Sequence, residues 1–236
     1  MEWIVYGASP ITQDVLVKSM EQFDCGYLQV YGLTETTGGV TQLDFEDHDP
    51  GGPREKFLRS AGKVIRGVEL RIVDPDTGED MPDSQVGEVW IRSAQVMKGY
   101  WNQPEATAES IDENGWFRSG DAGYLEDGFM FIHDRVKDMI VSGGENVYPA
   151  EVENALMGHE GIADVAVVGV PDDRWGEVGK AFVVPVADMA PSAEEVIVFA
   201  RERLAGFKCP ASVEFVEAIP RNPSGKILKR ELRDPY

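Results

Sequence analysis

Residues Asp134–Glu153 read DRVKDMIVSGGENVYPAEVE, and this stretch decides how the chain is divided. Gly143-Gly144 can bend the backbone sharply or let it pass close to a ligand. Pro149 then opens a helix whose first turns carry Glu151 and Glu153, acids that suit its positive end. Before this stretch the pattern is one of short strands; after it, strands and helices mix. The boundary therefore falls near HDRVKDM, giving an N-terminal part over 1–134 and a compact α+β domain over 135–236.

Working back toward the start, Val68, Leu70 and Ile72 alternate with Glu69 and Arg71 as a half-buried strand. GEVWIRS is a second strand, and GYLEDGFMFIHD is a hairpin turning at Asp127-Gly128. These predict a small antiparallel, β-barrel-like subdomain over about 60–134. The first sixty residues are α/β material. Trp3-Ile4-Val5-Tyr6 reads as a buried strand, and Val15, Leu16, Met20 and Phe23 are spaced for a helix. A further strand, Tyr27–Tyr31, follows. FEDHDPGGP (45–53) is acidic and rich in breakers, which predicts a surface loop. A fully buried strand arriving so early also suggests that the preceding part of a sheet is missing.

Toward the C-terminus, IADVAVVGV, AFVVPV and SVEFVEAI are strands. Ser192 and Glu195 have the spacing of a capping box before the helix VIVFARERL. GKILKREL is a last short helix.

Bulk properties narrow the function. The net charge of -20 over 236 residues opposes nucleic-acid binding, which needs a basic footprint. Cys25 and Cys209 form no metal or redox motif and indicate a reducing, cytoplasmic setting. His48, His133 and His159 show no metal-ligand spacing. No apolar run reaches the roughly 18 residues of a membrane span, and the N-terminus is not a signal peptide.

PRNPSGKILKREL (Pro220–Leu232) contains a Gly-Lys pair, but Pro220 stands where a P-loop requires glycine, so that reading fails. Ser224 and Gly225 make a tight, mobile turn for Lys226. A basic residue at a helix start opposes the dipole, so stability alone does not explain Lys226. Lys229, Arg230 and Arg233 read as a solvated helix face. In GWFRSGDAGY, Asp121 is an acid in a Gly-flanked turn, of the kind that accepts ribose hydroxyls. In YGLTETTGG, Thr34, Glu35, Thr36 and Thr37 form a hydroxyl-rich loop suited to phosphate and Mg²⁺. Taken singly, each is more often an ordinary turn.

Together and in order, YGLTE, GEVWIRSAQVMKGYW, GWFRSGDAGY, the 134–153 stretch and PRNPSGKILKREL resemble the adenylate-forming superfamily, and within it the fatty-acid acyl-CoA synthetases. The resemblance covers essentially the whole chain. It implies an AMP-forming ligase: a carboxylate attacks the α-phosphate of ATP, and coenzyme A then displaces AMP from the acyl-adenylate. It further implies that Tyr31 and Gly32 contact adenine, with the Gly7-Ala8-Ser9 backbone on the other side. Thr34 would meet phosphate, Glu35 Mg²⁺, and Asp121, supported by Arg135, the ribose. Lys226 would serve adenylation. Lys137 would be the hinge of a mobile C-terminal domain, and Gly143 and Gly144 would admit the pantetheine arm of CoA.

Enzymes of that family carry a phosphate loop and an acyl pocket in an N-terminal portion for which this sequence has no counterpart. The isolated chain is therefore expected to be an inactive fragment. Three alternatives remain: an aryl- or amino-acid-activating ligase, a ligase passing its acyl group to a carrier protein, and a non-catalytic nucleotide-binding module. The short run from Lys137 to Pro149 resembles CoA ligases more than carrier-protein ligases. Acid identity, self-association and peripheral membrane contact are left open.

Overall fold

The computed structural model describes residues 2–8, 11, 13–75, 77–222 and 225–236. The expectations placed on Ser9, Pro223 and Ser224 lie outside these described residues. The chain forms two units, Met1–Ile132 and His133–Tyr236.

In the first unit, strand β1 (Trp3–Gly7) runs through helix α1 (Gln13–Gln22) into β2 (Gly26–Leu33). The pair β1/β2 is parallel, which needs such a crossover, whereas β3 (Gly38–Leu43) and β4 (Lys63–Val64) add antiparallel to give the order β1-β2-β3-β4. Leu16 of α1 packs with Tyr27 and Leu58, while Ile4 and Tyr6 border that cluster.

Two expectations change here. Strand β1 is not fully buried: Trp3 is 50% and Val5 64% exposed. Its alternation places Ile4 and Tyr6 inward, and among the described residues it pairs with β2 alone. The acidic stretch 45–53 is also not simply a surface loop. Phe45–Asp47 forms a 3-10 turn that buries Asp47 and His48. Arg54 meets Asp47 at 2.5 Å, and Tyr6 Oη lies 2.8 Å from His48 Nε2. Burial is tolerable because these polar groups find partners.

The second sheet of this unit is an open antiparallel meander of β5 (Val68–Val73), β6 (Gly87–Ser93), β7 (Phe117–Glu126) and β8 (Phe129–Arg135). Helix α2 (Pro104–Ser110) lies between β6 and β7 in sequence. Asp127 and Gly128 take φ of 53° and 79°, the paired positive angles of a primed hairpin turn. Val89, Ile91, Phe117 and Met130 fill its core. Arg71, Arg92 and Arg118 lie over the rings of Trp90 and Trp116, covering aromatic surface with guanidinium planes.

The second unit begins with a 3-10 turn at Val136–Asp138. The hairpin β9 (Ile140–Ser142) and β10 (Glu145–Val147) follows, then helix α3 (Pro149–Met157). The long hairpin β11 (Ile162–Asp172) and β12 (Gly176–Pro185), helix α4 (Ala193–Arg201), β13 (Ser212–Phe215) and helix α5 (Lys229–Arg233) complete it. The strand order is β10-β9-β12-β11, with β13 parallel to β12.

The run Val165-Ala166-Val167-Val168 is apolar throughout because both faces of β11 are covered. Val165 and Val167 join Val152, Leu156 and Val196 of α3 and α4. Ala166 and Val168 join Phe182, Ile219 and Leu232 of α5. The Ser192 capping box forms as its sequence predicts: Ser192 Oγ accepts from Glu195 N, and the Glu195 carboxylate accepts from Ser192 N.

Candidate functional site

In the first unit, an open concavity of about 670 Å³ is lined by Gly7, Ala8, Val30, Gly32, Thr34 and Gly38, among others. Within it Gly7 and Val30 face each other across the parallel β1/β2 pair. A Cβ on Gly7 would run into the Val30 carbonyl, and one on Gly32 into the Gly38 carbonyl, so glycine is required at both. Ala8, which follows β1, takes the left-handed φ of 61°.

The rim is the 3-10 turn Thr34–Thr36. Buried Thr36 shapes it: its Oγ1 accepts from Leu33 N at 3.0 Å and lies within hydrogen-bond distance of the Leu33 and Gly38 carbonyls. Thr34 is exposed there and free to meet a ligand. Glu35 is half-buried, and its Oε1 accepts from the Tyr100 hydroxyl at 2.9 Å. Its backbone carbonyl accepts from Met97 N at 2.7 Å, so the segment after β6 buttresses the rim. One carboxylate fits Mg²⁺ only as an ion held mainly by phosphate oxygens and water, a common arrangement for this ion.

Tyr31 and Asp121, ninety residues apart, are brought together. The Tyr31 hydroxyl donates to Asp121 Oδ2 at 2.6 Å, and Asp121 is almost wholly buried. A short bond to a carboxylate in such a place is strong and directional. It fixes the Tyr31 ring against the carboxylate.

In the second unit, Lys226 does not begin a helix, as the sequence suggested. It sits in a hairpin turn three residues before α5, closed by Asn222 N to the Lys226 carbonyl at 2.9 Å and Lys226 N to Asn222 Oδ1 at 2.9 Å. Gly225 takes φ of 85° in this turn. The Lys226 side chain is exposed and has no acidic partner among the described residues. Lys137 is exposed within the Val136–Asp138 turn. Arg135, just before that turn, donates its backbone N–H to the Asp134 carboxylate at 2.8 Å.

Gly143 and Gly144 link β9 to β10 with φ of 61° and 87°. They differ in surroundings. A Cβ on Gly143 would lie 2.7 Å from the Trp175 ring, whereas one on Gly144 would meet open space. Gly143 N also donates to the Trp175 carbonyl at 2.8 Å, and Arg174 lies over the Trp175 ring. Trp175 gave no sequence signal, because its place beside the glycines arises from the β11–β12 turn.

The expectation of a solvated basic face on the last helix fails for Lys229 and holds for Arg230. Arg230 is 88% exposed. The Lys229 side chain is only 11% exposed and lies 2.9 Å from Glu153 and 3.3 Å from Asp134. Arg233 reaches Asp138 at 3.4 Å. Burial alone would lower the Lys229 pKa, but Glu153 and Asp134 together raise it. Glu153 is itself raised, because its burial outweighs the pull of Lys229 and of the Val167 N–H.

A family model described as AMP-binding enzyme matches residues 1–101, and one described as AMP-binding enzyme C-terminal domain matches 151–226. A fatty acid–[acyl-carrier-protein] ligase of Streptomyces coeruleorubidus is 47% identical over 98% of this chain and 44% of its own length. A long-chain-fatty-acid–CoA ligase of Mycobacterium tuberculosis is 44% identical over 99% of this chain and 44% of its own. The solved o-succinylbenzoate CoA synthetase of Bacillus subtilis, in complex with its acyl-adenylate intermediate, aligns with a TM-score of 0.88 at 36% identity, over 99% of this chain and 46% of that one. The chain thus spans a little under half the length of these relatives. Among the described residues no helix is long and apolar enough to cross a membrane.

Proposed function

Because the chain belongs to the AMP-binding, adenylate-forming enzyme family, we propose that it supplies the nucleotide- and thiol-handling portion of an ATP-dependent ligase for fatty acids. The observation that carries this reading is the hydrogen bond from Tyr31 to Asp121, with Val30 and Gly32, the chain neighbours of Tyr31, lining the concavity. An aromatic ring held by a buried carboxylate offers a stacking face for a base and an acceptor for ribose hydroxyls.

In this reading the acid's carboxylate oxygen bonds to the α-phosphorus of ATP, and the bond to pyrophosphate breaks. A thiol sulfur then adds to the acyl carbonyl and AMP leaves. Gly7, Ala8, Ser9 and Gly32 line the nucleotide with Tyr31; Asp121 and Arg135 hold the ribose; Thr34 meets phosphate. Glu35 would bind Mg²⁺, which supplies charge neutralisation at the phosphates when bound. Lys226 stabilises the negative charge that grows as the carboxylate attacks, a cation worth most in the transition state.

Residues 135–236 act as a mobile domain hinged at Lys137. The open space at Gly144 serves the thiol arm in the second step. The setting is cytosolic, in keeping with the free thiols Cys25 and Cys209.

The acyl acceptor divides two readings. Coenzyme A suits the short Lys137–Pro149 run, whereas the 47%-identical relative is a carrier-protein ligase. Pyrophosphate release by the protein in its full encoded length, over an acid panel and with CoA or a carrier protein as acceptor, tests both. Fatty-acid-dependent release with CoA thioester formation supports the proposal. Nucleotide binding without release for any acid would point instead to a non-catalytic module.

A further inference from the structure

Lys226 stands on a turn that is tied down on both sides. Before it, Arg221 grips both oxygens of Asp164 on β11 at 2.8 and 3.0 Å and donates to the Gly225 carbonyl at 2.9 Å. Leu228 N donates to the Pro220 carbonyl at 2.9 Å, closing the hairpin. After it, Lys229 enters a nearly dry site between Asp134 and Glu153, whose side chains are 10% and 16% exposed.

Neither carboxylate depends on Lys229 alone. Asp134 accepts from Arg135 N at 2.8 Å and from Ala150 N at 2.9 Å, placing its charge at the positive end of α3. Glu153 accepts from Val167 N at 2.8 Å. Lys229 therefore joins a carboxylate beside the Val136–Asp138 turn to one on α3, from a point three residues beyond Lys226. One helical turn later, Arg233 reaches Asp138 on the far side of that same turn.

From this arrangement we infer that Lys229 is a positioning residue for Lys226. With Arg233 it fastens α5 to both flanks of the segment that holds Lys137, so that the Lys226 turn and the 134–138 segment keep one geometry. Of the two ties, the buried one dominates, because the Arg221–Asp164 pair is more exposed and more screened. The inference rests on the adenylation role given to Lys226 above and adds the group that places it.

Lys229→Met combined with Glu153→Gln removes the charge pair without leaving Glu153 as a buried unpaired carboxylate. In the protein of full encoded length this variant should lose about tenfold to a hundredfold in adenylation kcat, the scale of an ångström-sized misplacement. The KM for ATP should stay within about twofold, and thioester formation from preformed acyl-adenylate should persist. Lys229→Arg should recover most of the rate, and Arg230→Ala, on the exposed side of α5, should change nothing. In the 236-residue chain itself, hydrogen exchange at residues 222–228 should quicken in the Lys229→Met, Glu153→Gln variant while α3 stays protected.

Unchanged exchange at 222–228, or equal loss in both half-reactions, overturns the inference. So does a full adenylation rate in a protein whose Lys226→Ala form is crippled. If Lys226→Ala itself leaves adenylation intact, the role proposed for Lys226 fails, and the exchange experiment still decides whether Lys229 holds the turn.

Discussion

The Tyr31 hydroxyl lies 2.6 Å from Asp121 Oδ2, a bond that ties β2 of the first sheet to β7 of the second. Removing it leaves a nearly buried carboxylate short of one donor. Tyr31→Phe should destabilise the first unit by about 1–3 kcal/mol in chemical denaturation, the usual scale of a hydrogen bond lost to a buried charged group. The ring survives, so AMP affinity should fall less than in Asp121→Ala, which deletes the ribose acceptor. Titration of the two variants with AMP checks the order; a larger loss in Tyr31→Phe would remove Asp121 from the ribose role.

His48 predicts a pH dependence. Burial lowers its pKa below the ordinary 6.5, against smaller opposing pulls from the Asp44 carbonyl and from Asp47 and Asp44. Its Nδ1 lies 2.9 Å from the Asp44 carbonyl and its Nε2 2.8 Å from Tyr6 Oη, so the neutral ring donates to one and accepts from the other. As pH falls below 6.5 the unfolded chain takes up the proton first. Stability of the first unit is therefore complete above 6.5 and declines as pH drops toward the lowered folded value. Melting curves between about pH 7 and pH 5 should show the decline, and His48→Gln should flatten that part of it.

The two loop glycines should separate on substitution. Both take positive φ, so alanine costs each about 1–2 kcal/mol of backbone strain. At Gly143 the new methyl also displaces Trp175, and the loss measured by urea denaturation should be larger. At Gly144 nothing stands in the way, so a bulky replacement such as Gly144→Leu should fold with little loss beyond the strain. If the thiol arm passes there, the same variant should block thioester formation while sparing adenylation. Unimpaired transfer to CoA would exclude Gly144 from the path.

Much of this architecture was legible because it depends on local chemistry. The Asp127-Gly128 turn, the Ser192 capping box and the alternation in β5 are each set by residues a few positions apart. The 165–168 run read as a strand, and its unbroken apolarity reflects helices on both faces. What escaped is long-range and polar. Lys229 looked like surface charge because its partners lie on β8 and α3, 95 and 76 residues earlier, and no local pattern joins them. Asp47 and His48 looked solvated for the same reason, since Arg54 and Tyr6 meet them only after the chain folds. In sequence Lys226 reads as the start of a helix that in the structure begins three residues later. A run such as GKILKREL does not say where its turn ends when the hairpin is closed from Pro220 and Arg221.

Lys226→Ala and Lys137→Pro should fail in opposite halves of the reaction. Lys226 is exposed on a closed turn and supports no packing, so its loss should leave the fold intact and slow adenylation by about 10²–10³-fold, the scale of removing one electrostatic stabiliser. Proline at 137 acts on the backbone: it drives Val136 out of the helical region and opens the 136–138 turn. If Lys137 is the pivot, thioester formation from preformed acyl-adenylate should fall far more than adenylation does. Assaying the two half-reactions separately, in the protein of full encoded length, distinguishes a hinge defect from a charge defect; an equal fall in both for either variant would withdraw that residue's assignment.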